Sequence, residues 1–240
     1  MIKKVVGLVV VLLVVVGGAF WWLVLRDDPE PELSLDSGSD TSQTTTGTAP
    51  ENLDGTWKIA SGGDTTAGFR IEETFGGGVA THTAVGRSTD VNGSITVAGT
   101  AVTEGEFTVD LTSLTFTDTP AGLSVANRAN AMKNRGLETS KFPDATFELT
   151  APIDFGEKPT EGETVTATAT GDLTIHGVTN EVSFEIEAQL EGNTIRVATV
   201  DPVPVALADY DIEKPTGGPI ASIEDDGSFE FLVVFSSGSA

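Results

Sequence analysis

Few side chains in this sequence have the chemistry to act on a substrate. His82 and His176 are its only histidines and there is no cysteine. Neither histidine has another histidine or a carboxylate at the spacing a metal site uses. His176 falls at the tip of an expected hairpin and His82 inside an expected strand, so structural or solvent-facing roles are expected of both. No phosphate-cradling glycine loop, nucleophile elbow or Glu-x-x-His pair is present. Asp225-Asp226-Gly227 has acidity suited to calcium but lacks the other loop ligands, and reads as a turn. Catalysis would need a clustered acid/base pair that no spacing here offers. The expectation is a protein that is not an enzyme and holds neither metal nor cofactor. The missing cysteines also exclude disulfides, thiol chemistry and a lipid-modified N-terminal cysteine.

One uneven feature remains among the charges. Arg128, Lys133, Arg135 and Lys141 fall within fourteen residues of a chain with thirteen basic and thirty-six acidic side chains. Arg128 and Arg135 are seven apart and would share a helix face. Such a local excess either seats an anionic head group or merely solvates a surface helix.

These residues need elements to carry them, and the clearest lie between Thr164 and Leu190. Val165, Ala167, Ala169, Leu173 and Ile175 alternate with threonines and Asp172; Val182, Phe184, Ile186, Ala188 and Leu190 alternate with Ser183, Glu185, Glu187 and Gln189. Successive strand side chains point to opposite faces, so this is a long antiparallel hairpin, turning at His176-Gly177, with one oily and one wet side. Similar segments recur at 56–59, 67–73, 79–85, 94–98, 106–111, 145–150, 194–200 and 229–235, and no repeat of fixed period is present. Asn92-Gly93, Glu104-Gly105, Gly192-Asn193 and Asp226-Gly227 are expected turns between them. Asn92-Gly93-Ser94 also matches a glycosylation acceptor, though the turn reading is preferred. Leu123 to Arg135 lacks proline and glycine and spaces Val125, Ala129 and Met132 helically, predicting a short helix ended by Gly136. The class is all-β. A one-sided sheet hides its apolar face by stacking on a second sheet or by closing into a barrel, and only closure removes the edges. The interior of such a barrel is either side-chain-filled or roomy enough for one slender ligand.

The net charge of −23 argues against nucleic acid and against docking on anionic lipid headgroups. It reads as solvation. Val5 to Leu25 is uncharged and mostly apolar, about 30 Å long as a helix, which matches a bilayer core. Trp21 and Trp22 fit an interfacial belt, and Lys3 and Lys4 outweigh Arg26, which predicts a cytoplasmic N-terminus and an extracytoplasmic domain on a single-pass cell-membrane protein. A cleaved signal peptide with Gly17-Gly18-Ala19 as its small-residue site is the competing reading. Asp27 to Asn52, rich in Pro, Ser, Thr, Gly and acid, reads as a disordered tether spanning about 30 Å. The expected organisation is an anchor over 1–26, a linker over 27–52 and a barrel domain over 53–237.

Gly171-Asp172-Leu173-Thr174-Ile175-His176-Gly177-Val178-Thr179, preceded by Lys141-Phe142-Pro143 and Ala145-Thr146-Phe147, closely resembles the YceI-like family of bacterial lipid-binding proteins. Gly55-x-Trp57, Asp110-Leu111-x-Ser113-Leu114, Asn127-Arg128 and Gly227-x-Phe229 extend the likeness over roughly 53–235. The resemblance implies an eight-stranded antiparallel barrel, lipocalin-like in shape, with a tunnel for a polyisoprenoid or related long-chain lipid. Its inward residues would be Trp57, Phe69, Ile71, Phe107, Val109, Phe147, Leu173, Ile175, Phe184, Ile186 and Phe231. Phe142 of the Lys-Phe-Pro motif, and Arg128 and Arg135 at the polar end, complete the expected ligand-binding set. Two departures touch the polar end: Ala60-Ser61-Gly62-Gly63-Asp64 stands where the family often has a histidine-serine pair, and Arg128-Ala129 replaces its Arg-Asp pair. The function expected is a membrane-tethered carrier of a long apolar chain. The alternative is a solid-barrel interaction module at the envelope surface that holds no lipid.

Overall fold

Alternating β-branched and polar residues form strands because one pleated face can be buried while the other stays wet. In the computed structural model, which describes residues 30–37, 52–60, 64–76, 80–118, 124–218 and 220–237, thirteen such segments make eight staves. β1 (Gly55–Ile59) and β2 (Thr66–Phe75) run end to end as the first stave, both antiparallel to the last strand. β3 (Ala80–Ser88) and β4 (Val91–Ala98) form the second, pairing β2 and β1 respectively. β5 (Ala101–Asp110) and β6 (Thr115–Phe116) form the third, and β7 (Asp144–Leu149) and β8 (Ile153–Asp154) the fourth. β9 (Thr164–Ile175) and β10 (Val178–Glu191) are the unbroken hairpin. β11 (Thr194–Thr199) and β12 (Val203–Ala206) share the seventh stave, and β13 (Ile220–Ser237) closes the ring against β11 and β1. The result is a closed eight-stave antiparallel barrel, the ring completed by the β1–β13 pairing.

The hairpin turns where expected: His176 and Gly177 both have positive φ, 53° and 76°, as a two-residue primed turn requires. Gly192-Asn193 is also a turn. The other three expected turns are not. Asn92-Gly93 lies within β4, Glu104-Gly105 within β5 and Asp226-Gly227 within β13. At Gly93 and Gly227 the missing side chain makes room for a neighbouring carbonyl rather than a backbone bend, whereas a Cβ at Gly105 would meet only ordinary contacts.

All-β character is interrupted between β6 and β7, as the sequence predicts. α1 (Val125–Ala131) starts on Ser124, whose side chain accepts from the Asn127 amide. It then widens into a single π turn, Met132–Gly136, in which the Leu137 amide donates to the Met132 carbonyl at 2.8 Å. Ala129, Met132 and Leu137 join Ile71, Leu111, Leu114, Phe116 and Ile223 in a cluster that covers this end of the barrel. The 3₁₀ turn Leu207–Tyr210 lies at the same end, against β10 and β13.

The tether reading needs correction over residues 30–37. This segment lies across the outer wall as a strap and makes seven long-range hydrogen bonds. The Leu33 and Leu35 amides donate to Glu230 and Glu187 at 3.0 and 3.1 Å. Arg70 donates to the Glu30 and Pro31 carbonyls, Arg87 to Pro31, and Arg196 to Leu35 and Ser37. Composition suggests disorder because the segment has little to bury, but its backbone is bound by side chains of distant strands. Beneath it Arg87, passing over Gly68, and Arg70 both reach Glu230, at 2.6 and 3.0 Å, and Glu230 has no exposed side-chain surface. The expected anchor over 1–26 and the rest of the linker lie outside the described residues. Among the described residues no helix is long and apolar enough to cross a membrane.

Candidate functional site

The inward faces of the staves leave a cavity of about 290 Å³ along the barrel axis. Phe69 and Ile71 come to it from β2, Phe107 and Val109 from β5, and Phe147 from β7. Leu173 and Ile175 come from β9, Phe184 and Ile186 from β10, and Phe231 from β13. Gly99, Thr100, Phe155 and Pro159 line one end, and Met132, Leu137, Ile212 and Pro215 the other, so the cavity is a bore rather than a local void. Its wall is almost wholly apolar. Arg70 and Glu230 contribute to it, but they are paired to each other.

What holds the bore open is an arrangement of rings against glycines. Phe107, Phe147, Phe184 and Phe231, on the third, fourth, sixth and eighth staves, contact one another in turn edge-on or tilted, with centroids 5.5–6.3 Å apart. Phe69 pairs directly across from Gly86, and Phe107 from Gly93. A Cβ at Gly86 would stand 2.3 Å from the Phe69 ring, and one at Gly171 would stand 2.5 Å from Phe147. The rings therefore lean onto bare backbone and leave the axis clear.

Four expected binding residues lie outside the bore wall. Trp57 is 2% exposed, packs in the cluster around Leu53, Val233 and Phe235, and donates its indole N–H to the Leu53 carbonyl at 2.8 Å. Phe142 packs edge-on to the His176 ring and against Gly177, with the Lys141 ammonium over its own face. Arg128 is buried. Its guanidinium is held by Asp118 and by Glu73, the latter at 3.0 Å, and lies 4.2 Å from the centre of the Phe116 ring. Arg135 instead donates to the Pro215 and Thr216 carbonyls at the surface. The intervening π turn changes the winding, so the two arginines do not share a face.

The ion cluster around Arg128 was missed by sequence reasoning, because its members come from β2, β3, the segment after β6 and α1. Glu73 occupies an inward register position after Ala67, Phe69 and Ile71, and a carboxylate there was the one available signal. Asp118 accepts from the Val85 amide and lies 2.7 Å from His82 Nε2. Burial pushes the Glu73 carboxyl above its ordinary value, against the pull of Arg128. Burial acts the same way on Asp118, but hydrogen bonds from His82, Val85 and Arg128 outweigh it and hold that carboxyl low. The cluster ties α1 to the sheet and is not part of the bore wall.

At the helix-covered end, Pro215 belongs both to the bore and to a polar groove of about 420 Å³. Asn134, Arg135, Glu138, His176, Asp211, Glu213 and Lys214 line the groove. His176 Nε2 is 2.9 Å from Glu138 Oε2 and Nδ1 is 3.1 Å from the Tyr210 carbonyl. Glu138, His176 and Asp211, the non-glycine residues with positive φ among the described residues, all lie in this groove. Among the described residues no three histidine or acidic side chains converge as a metal ion requires.

The sequence and the fold are matched elsewhere. Residues 57–235 match the YceI-like domain. The chain belongs to the YceI-like family. A relative, a UPF0312 protein of Pseudomonas putida (strain W619), is 45% identical over 56 residues, 23% of this chain and 26% of its own length. Another, of Vibrio parahaemolyticus, is 34% identical over 80 residues, 32% of this chain and 39% of its own. The chain thus aligns with well under half the length of these relatives. Among solved structures, a polyisoprenoid binding domain from Saccharophagus degradans implicated in plant cell wall breakdown is 20% identical, with a TM-score of 0.58. That match covers 76% of this chain and 98% of the other. Burkholderia cenocepacia BcnA is 15% identical, with a TM-score of 0.50 over 70% of this chain and 95% of the other. Both likenesses are of fold.

Proposed function

We propose that this protein binds a long, slender apolar molecule, a polyisoprenoid or similar lipid, within the barrel. The observation that carries this is the apolar bore reaching from Pro159 at one end to Pro215 at the other. Each methylene taken from water into such a wall contributes about 0.8 kcal/mol, so affinity accumulates with chain length and needs no hydrogen bond. The bore wall has no acid/base pair free to act on a bound chain, which supports holding over catalysis. The polyisoprenoid-binding neighbour of like fold supports the ligand class.

We further propose that the apolar stretch Val5 to Leu25 anchors the chain in the cell membrane, with the N-terminus cytoplasmic and the barrel extracytoplasmic. Labelling of intact cells with a membrane-impermeant reagent at an engineered surface cysteine tests the topology, and labelling only after lysis would refute it. Organic extraction of the protein purified from its native host, followed by mass spectrometry, tests the binding. Stoichiometric release of one class of long-chain lipid is expected. Protein free of lipid that also fails to take up a polyprenol would overturn the reading and leave a barrel acting through its exterior.

A further inference from the structure

We infer that the ligand of the bore has an uncharged, hydrogen-bonding polar end, such as a hydroxyl or carbonyl, and that this end lies in the groove formed by Asn134, Glu138 and His176. The inference rests on the lipid-binding reading and narrows it: phosphorylated or carboxylated lipids are excluded. An anion leaving water needs a cation or a set of free N–H groups to replace its hydration. Among the described residues the cations of the barrel domain have partners of their own or lie away from the groove; Lys158, beside Pro159 at the opposite end of the bore, also has an interaction of its own. Arg70 and Arg87 are held by Glu230 and the strap, Arg196 by Asp64 and the strap, and Arg128 by Glu73 and Asp118. Lys133 donates to the Thr112 carbonyl and Lys141 covers Phe142. Lys58 is exposed on β1, outside the bore wall.

The groove itself repels an anion. Arg135 and Lys214 face three carboxylates there, Glu138, Asp211 and Glu213. Arg135 is directed to the Pro215 and Thr216 carbonyls and Lys214 to Asp225. The chain as a whole carries a net charge of −23. What the groove does offer is a neutral amide on Asn134, which is exposed, and the carboxylate of Glu138, which His176 orients; both His176 ring nitrogens are already paired, with Glu138 and the Tyr210 carbonyl. Backbone conformations that L residues seldom adopt persist only where surrounding structure over-determines them, and they concentrate at ligand-holding places. Here Glu138 and Asp211 are so held, next to Pro215 at the end of the bore, whereas the positive φ of His176 belongs to the hairpin turn.

The test uses the full chain in detergent with two probes of equal chain length, a polyprenol and its monophosphate, competed against each other by native mass spectrometry. The alcohol is expected to bind at least tenfold more tightly, the scale of repulsion by one uncompensated surface charge. Equal or tighter binding of the phosphate would overturn the inference while leaving lipid binding intact. Failure of both probes to bind would overturn the lipid reading and this inference with it. A variant, Glu213→Lys, tests the place. The phosphate-to-alcohol affinity ratio should rise about threefold or more, and an unchanged ratio would refute the groove as the seat of the polar end.

Discussion

Ala169→Leu separates a hollow barrel from a solid one by the sign of its effect. Ala169 is buried on β9, faces the bore and pairs across from Phe184. Leucine adds three carbon atoms. If they enter empty space, burial contributes up to about 2.4 kcal/mol at about 0.8 per carbon. Fixing the longer side chain costs about 0.5–1 kcal/mol, so a net gain of about 1–2 kcal/mol is expected. For a domain of this size that raises the melting temperature by roughly 2–6 °C. The same three carbons displace about three methylenes of ligand, weakening binding by about 2.4 kcal/mol, or roughly fiftyfold. Urea unfolding of delipidated wild type and variant measures the first effect, and titration with a polyprenol the second. In a filled core the substitution would overpack and destabilise by about 1–3 kcal/mol. Destabilisation in that range with unchanged affinity would refute the bore as the binding site.

Glycine at the ring seats is expected to be indispensable: a Cβ at Gly171 would stand 2.4 Å from the Glu148 carbonyl, which the ladder fixes, so Gly171→Ala should cost about 2–3 kcal/mol by urea unfolding. In the ion cluster, Asp118→Asn should destabilise by about 3 kcal/mol and Glu73→Gln by about 1 or less, because the surroundings favour the charge of Asp118 and disfavour that of Glu73. The pH dependence follows. Glu73 is raised in the fold, so its penalty is fully present above its raised value and is relieved as pH falls toward its ordinary value near 4.5; Asp118 is lowered, so its contribution is lost as pH falls below 3.8. Unfolding measured from pH 3 to 7 should therefore show Glu73→Gln flattening the mildly acidic limb, and a limb identical to wild type would refute the assignment. Docking of residues 30–37 predicts slow hydrogen exchange at the Leu33 and Leu35 amides, with Leu33 protection lost in Glu230→Gln; exchange at unprotected rates in the wild type would show that the segment does not bind the wall.

The two-residue period of Thr164–Leu190 was enough to place the hairpin, its turn and its oily face, because side-chain direction in a strand is a local property of the backbone. The Lys141-Phe142-Pro143 and Gly171–Thr179 motifs carried the family for the same reason: they are contiguous. Gly93, Gly105 and Gly227 misled as turns, since glycine in the chain does not reveal whether it serves a bend or a neighbour's approach from the next strand. Arg128 could be seen as a cation but not as a neutralised one. Its partners, Glu73 and Asp118, meet it only when β2, the end of the third stave and α1 converge. Whether the barrel is hollow also lay beyond the sequence, since it depends on ring volumes set against glycines across strands. Local alternation and contiguous motifs thus determined the strands, the meander and the family. Tertiary structure alone decided the open bore, the sealed arginine and the strap, because each depends on distances between residues far apart in the chain.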